Sequence, residues 1–405
     1  MKPGFIGSVK KSYSADFREG VSMSAPLEAG QLISKLGVLV SELEKPFVGR
    51  SEEARLLVLS LISGEHAILI GEPGTAKSAL ARRLADLVKA RFFKYLLTRF
   101  TEPDELFGPL DIGALREGRY VRVTRGKLPE ADIAFIDEIF NANSAVLNML
   151  LTLMNERVVY DGYSEIKIPL LTLISASNNV PDEPELQAVY DRFLLRHFLK
   201  PVSENLWGRL LEASWLIESG AYMEAKPVVS IDEVKAAGSL VFKVDVSGVK
   251  EKLLKLYAVF EDQGIHLTDR RKGKTLKAVA ANALLNGRLK AVEDDLFVLK
   301  YTAPRDRDEA EKAFSILLDE VEAREKHLRE LSEIEANIRE AKAYIARSPE
   351  LDPRLLDYLR SFETLRDKLE KLAREASDEV VRRRAVDVLG ELNDAIDTVK
   401  RKLVL

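Results

Sequence analysis

The chain has 405 residues, with 61 Lys or Arg, 65 Asp or Glu, four His and no Cys. This length allows roughly two to four domains that can each bury a core, which excludes a disulfide-stapled miniprotein. The lack of cysteine excludes cysteine-ligated zinc and a catalytic thiol, and a net charge of −4 provides no overall attraction to nucleic acid.

The first residues of the chain do not predict a targeting signal. Residues 1–25 are rich in Ser, Gly and Lys, have no sustained hydrophobic period, and predict a loosely tethered tail. They lack the apolar core of a signal peptide, and no apolar run approaches the roughly 18–20 residues of a membrane span. We therefore expect a soluble protein of the cytoplasm.

The next part of the chain, residues 26–200, predicts an α/β domain. Short apolar runs alternate with amphipathic segments, which is the pattern of parallel strands connected by helices. Strands are predicted over 66–70, 134–137 and 170–174, and helices over 78–90 and 145–156.

The rest of the chain predicts two helical parts. Residues 201–303 predict a smaller α-domain, with helices over 204–219, 249–263, 268–285 and 292–301. Residues 305–405 hold 21 Lys or Arg and 25 Asp or Glu, so 304–405 is predicted to be a charged module of three helices, broken at Ser348-Pro349 and near Ser377. Such a module is either a solvated bundle without a site or a docking arm for a partner.

The strongest functional signal is a glycine-rich segment between a predicted strand and a predicted helix. Backbone N–H groups of such a turn hold the β-phosphate of a nucleotide, Lys77 contacts the β and γ oxygens, and the Ser78 hydroxyl can bind Mg²⁺. Ala76 replaces the last glycine of the motif, and its methyl group is expected to require a negative φ. The segment consists of Gly71, Glu72, Pro73, Gly74, Thr75, Ala76, Lys77 and Ser78, and Ala79 follows in the helix.

Two further predicted strands end in polar residues. Asp137 and Glu138 follow an apolar strand, at the edge where parallel α/β sheets bind ligands. Asp137 is predicted to hold Mg²⁺ through water and Glu138 to polarise the attacking water. Asn178 follows the third strand and could orient that water without adding charge, with Asn179 as the alternative.

An arginine near the end of the α/β part could act on a neighbouring subunit. Arg192 follows Tyr190-Asp191, and from this position it could reach a neighbour's γ-phosphate. Arg196 is the alternative for this role.

Together these segments resemble the AAA+ ATPases and, more narrowly, the MoxR family with its RavA-like branch. The resemblance covers roughly residues 40–303 and includes alanine at position 76, a form of the phosphate loop that this family favours. Four more segments follow the family pattern in order, at 101–108, 126–133, 137–143 and 150–156.

This resemblance implies a P-loop AAA+ core of αβα type with a parallel sheet, an α-helical lid and then the charged helical bundle. It implies hairpins over 112–123 and 158–168, and Val48 and Gly49 beside the adenine. It assigns Asn178 to sensor 1 and Arg192 to a finger that acts in trans. Arg270 corresponds to the sensor 2 arginine, although Asp269 stands in place of a proline and Arg271 is the alternative.

The family resemblance also implies a function. ATP would be hydrolysed with Mg²⁺ at the subunit interfaces of a ring, most often hexameric, and the energy would remodel a client protein complex with a von Willebrand factor A domain partner. The alternative is a nucleic-acid-stimulated motor of the same clade, suggested by four arginines at 116, 119, 122 and 125. Nucleic acid is the less expected partner, because only Tyr120 supplies an aromatic side chain among them.

Overall fold

The computed structural model describes residues 26–161, 164–220, 225–321, 324–347, 349, 352–376 and 379–403. The predicted tail at 1–25, Ser348 of the first predicted break and Ser377 of the second lie outside these residues. Within the described part, no helix has both the length and the apolar character needed to cross a bilayer.

The first part of the chain forms a parallel five-stranded sheet in the order β2-β3-β6-β1-β7, with helices between the strands. A separate antiparallel pair, β4 and β5, follows α6. The elements are α1 Pro26–Glu44, α2 Ser51–Ser63, β1 His66–Ile70, α3 Lys77–Leu87, β2 Phe92–Leu96, α4 Pro103–Phe107, α5 Ile112–Arg116, β3 Ile133–Asp137, α6 Ser144–Glu156, β4 Val158–Asp161, β5 Ser164–Lys167, β6 Thr172–Ser177, α7 Pro184–Tyr190 and β7 Phe193–Phe198.

The sheet is buried on both faces, as its continuous apolar strands require. Alternate residues of β1 enter opposite cores: Ala67 and Leu69 pack with α2 and α3, whereas Ile68 and Ile70 pack with α6. The predicted α/β fold with a parallel sheet is therefore confirmed, and the three predicted strands correspond to β1, β3 and β6. The strands β2 and β7 lie at the two edges of the sheet and were not predicted.

The second part of the chain is helical, and the described residues after Pro201 contain no strand. The helix α9 was missed, although Ser230 and Glu233 form a capping box at its start. The elements are α8 Trp207–Glu218, α9 Ile231–Val241, α10 Lys250–Asp262, α11 Asp269–Leu285, α12 Leu299–Thr302 and α13 Arg307–Glu320.

The helix α13 packs into the core of this helical lid. Ala313 and Leu317 are fully buried, and they belong to the same apolar cluster as α10 and α11. The domain boundary predicted at residue 303 therefore falls within a packed core. The content of charged residues rises at α13, whereas the separate apolar cluster begins only after it.

The last helices, α14 Arg324–Arg347, α15 Arg354–Glu375 and α16 Glu379–Leu403, form a third apolar cluster of their own. The predicted heptad residues Leu331, Ile338 and Ile345 are buried in it. These three helices thus form a bundle whose apolar seam contains the predicted heptad residues. The described part of 304–405 holds four helices where three were predicted, because α13 is separate and packs with the lid.

The two predicted hairpins differ in outcome. The segment 158–168 contains the antiparallel pair β4 and β5, which confirms the hairpin. The prediction of a regular hairpin over 112–123 was wrong, because this segment begins with the short helix α5. The Asp111 side chain accepts a hydrogen bond from the Ala114 N–H at the start of that helix. One antiparallel bridge, from Leu110 to Arg122, joins the two ends of the segment.

The turn between β1 and α3 departs from expectation at Ala76. Its φ is 61° and its ψ is 17°, so the residue is left-handed and the expected negative φ was wrong. A side chain in this region meets its own carbonyl and costs about 1–2 kcal/mol, which is why glycine is common there. The turn keeps this strain because β1 and α3 are both anchored in the core.

A buried ion pair joins the lid to the α/β domain. Glu65, between α2 and β1, is 2% exposed, and its carboxylate lies 2.6 Å from Lys274 and 2.5 Å from Lys277 of α11. Burial alone would raise the pKa of Glu65, but the two ammonium groups outweigh it and hold this pKa at about 2.

We predict that the stabilisation from Glu65 depends on pH. Its pKa in the folded chain lies below the ordinary 4.5, so the stabilisation is full above about pH 4.5 and is lost as the pH falls toward 2. Urea denaturation should find Glu65→Gln less stable than wild type by on the order of 3 kcal/mol at neutral pH, with the difference shrinking on acidification. Glu42→Gln, which removes an exposed pair with Lys45, should change stability by less than about 1 kcal/mol at any pH. An undiminished difference at pH 3 would contradict the assignment.

We also predict that Ala76→Gly stabilises the chain by up to about 1 kcal/mol, because glycine adopts a positive φ without strain. The matched control is Ala79→Gly, in the first turn of α3, which should destabilise by roughly 0.5–1 kcal/mol. Urea midpoints of both variants make the comparison. Losses of equal size would indicate that residue 76 is right-handed.

Candidate functional site

The predicted phosphate loop and polar residues meet at one edge of the sheet. The strands β1, β6 and β3 are neighbours, and they end at nearly the same level of the sheet. In the register, Ile70 pairs with Ser177, and Asp137 pairs with Ala176. Because the strands are parallel, the segments after all three emerge at the same carboxyl edge, where open α/β sheets bind ligands.

The backbone of the phosphate loop is closely fitted to its surroundings. The Gly71 N–H donates to the Ser177 carbonyl at 3.0 Å, and a Cβ at Gly71 would lie 2.9 Å from Cβ of Leu199. Gly74 has φ 80°, and the Thr75 hydroxyl donates to the Glu72 carbonyl at 2.9 Å. Glu72 and Pro73 are exposed at the tip of the turn.

The start of α3 offers donors for an anion. Among the described residues, no side chain caps this helix, so the N–H groups of its first turn, around Ser78 and Ala79, keep their hydrogen-bonding capacity. An uncapped helix N-terminus combined with a glycine-rich turn and a lysine is a suitable phosphate cradle.

The Lys77 side chain is folded into this turn. Its Nζ donates to the carbonyls of Gly71 at 2.5 Å and Glu72 at 3.0 Å, and the residue is 9% exposed. Burial lowers the pKa of Lys77, while Asp137 and Glu138 act to raise it. The ammonium group thus sits between the loop and the two carboxylates, where a terminal phosphate would require a cation.

Glu138 and Asn178 form a pair beside this lysine. Asn178 Nδ2 donates to Glu138 Oε1 at 2.9 Å. The backbone of Glu138 is left-handed, with φ 53°. Burial and the neighbouring Asp137 raise the pKa of Glu138, so its carboxylate is a stronger base than an exposed one.

Asn179 is arranged differently from Asn178. Its backbone N–H and carbonyl both contact the Ser177 hydroxyl, at 3.3 Å and 2.8 Å. The described hydrogen bonds therefore favour Asn178, and not Asn179, as the amide that faces Glu138.

The described residues contain no cluster of three His, Asp or Glu side chains that could hold a metal alone. Mg²⁺ does not need one, because it keeps several waters and binds through one or two protein groups plus substrate phosphates. The Ser78 hydroxyl and the Asp137 carboxylate at the carboxyl edge are a donor set of this kind, so the residues fit the ion.

A cavity of about 490 Å³ opens beside the turn that contains Val48 and Gly49. Gly49 lines it with Arg50, Val202 and Leu206, whereas Val48 is half-buried in the preceding turn. Arg50 donates to Glu53 and to the Lys200 carbonyl, both at 2.9 Å. Its charge also acts to lower the pKa of Lys77, so Arg50 is a site residue that the sequence prediction omitted although it follows Gly49 directly.

The predicted finger arginine, Arg192, and the predicted sensor 2 arginine, Arg270, lie at the opposite edge of the sheet. Arg192 precedes the first residue of β7, and the Thr268 hydroxyl before α11 donates to Asp191 at 3.2 Å. Arg270 Nη1 donates to Asn155, in the last turn of α6, at 2.7 Å. The structure therefore brings Arg192 and Arg270 to the amino edge and does not bring them to Lys77.

The alternatives Arg196 and Arg271 are internal. Each is 2% exposed, and burial lowers the pKa of both. Arg196 lies 3.8 Å from the ring centre of Tyr190 and donates to main-chain carbonyls, and Arg271 donates to the carbonyls of Thr302 and Phe193. These contacts join β7 to the lid, whereas the half-buried Arg192 and Arg270 keep part of their surface accessible.

The chain is similar to known proteins in fold and in sequence. One solved structure, that of a candidate ATPase from Cytophaga hutchinsonii, matches with a TM-score of 0.61 at 20% identity, over 73% of this chain and 97% of that chain; this is a likeness of fold. An uncharacterised protein of Methanocaldococcus jannaschii is 34% identical over 370 residues, which is 89% of this chain and 95% of that protein. The chaperone MoxR1 of Mycobacterium tuberculosis is 28% identical over 161 residues, which is 39% of this chain and 42% of that protein.

Family models match in two adjacent ranges. A model of the MoxR domain in the MoxR-vWA-beta-propeller ternary systems matches residues 34–238, and a model of the AAA lid domain matches residues 245–317. The lid range includes most of α13, in agreement with the packing of that helix. The chain therefore belongs to the MoxR family of AAA+ ATPases.

Proposed function

We propose that this chain hydrolyses ATP at the subunit interfaces of a hexameric ring. It uses the energy to remodel client protein complexes. The observation that carries the proposal is the division of the site residues between two edges of one sheet. Lys77, Asp137, Glu138 and Asn178 lie at the carboxyl edge, and Arg192 and Arg270 lie at the amino edge.

These two sets cannot meet within one chain. The six residues of β7 alone span roughly 20 Å, which is longer than an arginine side chain. A second copy that turns its amino edge toward the carboxyl edge of the first would bring the two sets together. A head-to-tail contact of this kind generates a closed ring when the rotation closes.

The chain supplies distinct groups to the reaction. The first turn of α3 and Lys77 would bind the β- and γ-phosphates, and Glu138, oriented by Asn178, would take a proton from the attacking water. Mg²⁺, held by Ser78 and through water by Asp137, would neutralise charge on the phosphate oxygens. Arg192 of the neighbouring copy would stabilise charge that develops on the γ-phosphate, and its Nε is buried with no hydrogen-bond partner among the described atoms.

The proposal also places the base and ribose of ATP. The cavity beside Gly49 has room for a nucleoside, and it is lined by Phe198 and Lys200, which flank the residue that packs against Gly71. Val48 and Gly49 would then lie beside the adenine.

The segments 112–123 and 158–168 expose aromatic side chains that could contact a protein client. Tyr120 is 56% exposed beside α5, and Tyr160 is 52% exposed in the hairpin of β4 and β5. The family model comes from MoxR-vWA-beta-propeller systems and one relative is named a chaperone, which supports a von Willebrand factor A domain partner. Membership of the RavA-like branch remains a prediction.

The nucleic-acid motor has less support. Two of its four candidate arginines already contact carboxylates: Arg119 lies 2.5 Å from Glu117, and Arg122 lies 2.6 Å from Asp104. Steeply salt-dependent DNA or RNA binding that stimulates turnover would favour that alternative.

We predict that Lys77→Ala severely weakens ATP binding, because the terminal phosphates lose their cation. Glu138→Gln should bind ATP normally and lose at least 100-fold in turnover, roughly the contribution of a positioned base. Nucleotide affinity and ATPase rate are measured side by side, with Lys45→Ala and Glu117→Gln as exposed controls. Wild-type affinity in Lys77→Ala would refute the phosphate cradle, and wild-type turnover in Glu138→Gln would refute the base.

We further predict that mixtures of Arg192→Ala and Lys77→Ala proteins recover ATPase activity that neither has alone. Each variant lacks a different half of the composite site, so interfaces that pair the two intact halves should be active. Subunit exchange is checked by mass, and Arg119→Ala serves as a control that retains activity. Verified exchange without recovery would show that Arg192 does not act across the interface.

A further inference from the structure

The helix α8 exposes an apolar stripe that contains both tryptophans of the chain. Trp207, Leu211 and Trp215 recur every four residues and therefore share one face of the helix. Their exposed fractions are 52%, 73% and 76%, and Ala213 is the one residue of this fully described helix that is buried. An exposed patch of several large apolar side chains marks an interaction surface.

The start of α8 is fixed next to the phosphate loop. Leu199, at the end of β7, donates its N–H to the Ile70 carbonyl at 2.8 Å. The side chains of Val202 and Leu206 lie 3.5 Å from where a Cβ of Gly49 would be. Trp207 Nε1 donates to the Val202 carbonyl at 3.0 Å, so the first turn of α8 is anchored at the nucleotide edge.

We propose that a second copy of this chain covers the stripe, so that α8 forms part of the interface that completes the ATP site. This inference rests on the proposed function, because the copy that carries Arg192 to Lys77 has to approach the carboxyl edge from which α8 extends. The same approach would bury Trp207, Leu211 and Trp215 next to the composite site.

The size of the stripe fits this role. Two tryptophans and a leucine, each more than half exposed, offer on the order of 300 Å² of apolar surface, whereas a stable interface buries about 800 Å² on each partner. The stripe is thus too small to hold two copies alone and large enough to be the apolar centre of a wider contact. Tryptophan is also enriched at the energetic centres of interfaces.

The test uses the intrinsic fluorescence of the full-length protein, since its two tryptophans are both on α8. Protein is titrated with a non-hydrolysable ATP analogue and Mg²⁺ while mass is followed by light scattering. The dilute monomer should show red-shifted emission that acrylamide quenches freely. Assembly should shift the emission to the blue and reduce the quenching constant at least twofold.

A matched pair of variants tests the contribution of the stripe to assembly. Leu211→Ser should raise the midpoint concentration of assembly about tenfold or more, because a leucine that the interface would bury is replaced by a polar side chain. Leu356→Ser, on α15 and 47% exposed, should leave the midpoint unchanged. Unchanged nucleotide affinity of dilute Leu211→Ser protein shows that this variant is folded.

The failures are distinguishable. If mixed Arg192→Ala and Lys77→Ala rings regain activity but tryptophan emission stays red, α8 is not in the interface and the proposed function stands. If the protein never assembles and mixing restores nothing, both proposals fail. Blue emission in the dilute monomer, or a blue shift caused only by phospholipid vesicles or by a von Willebrand factor A protein, would overturn a second copy as the occupant.

Discussion

All five strands of the main sheet run in the same direction, and this direction separates the candidate site residues into two sets. Segments that follow a strand emerge at the carboxyl edge, as the phosphate loop, Glu138 and Asn178 do. Segments that precede a strand emerge at the amino edge, as Arg192 does before β7. One monomer therefore carries the glycine-rich loop and Arg192 at opposite edges of its sheet.

The lid reinforces this division because it is attached at the amino edge. Glu65 pairs with Lys274 and Lys277, and Arg271 donates to carbonyls at the start of β7. A buried charge without its partners would be strongly destabilising, so these contacts hold α11 in one position. The lid consequently places Arg270 near Arg192, away from the carboxyl edge of the sheet.

Two residues at the carboxyl edge of the sheet have strained backbones. Ala76 and Glu138 both have positive φ, at the points where the chain leaves β1 and β3. Residues in this region keep their conformation only where the surroundings fix it, and such residues cluster at functional sites. For Ala76 these surroundings are the buried strand β1 and the helix α3, and for Glu138 they are the buried strand β3 and the buried Ile139.

The sequence alone determined the elements whose signals are local. The turn from Gly71 to Ser78, the carboxylates that end β3 and the apolar seam at Leu331, Ile338 and Ile345 could be predicted, because spacing and residue type carry that information. Only the tertiary structure decided between residues of equal chemistry. Arg196 and Arg271 match Arg192 and Arg270 in type, yet packing against Tyr190 and the carbonyls of β7 buries them. The left-handed Ala76, the packing of α13 on the lid and the exposure of α8 likewise depend on contacts between distant segments, which no local pattern encodes.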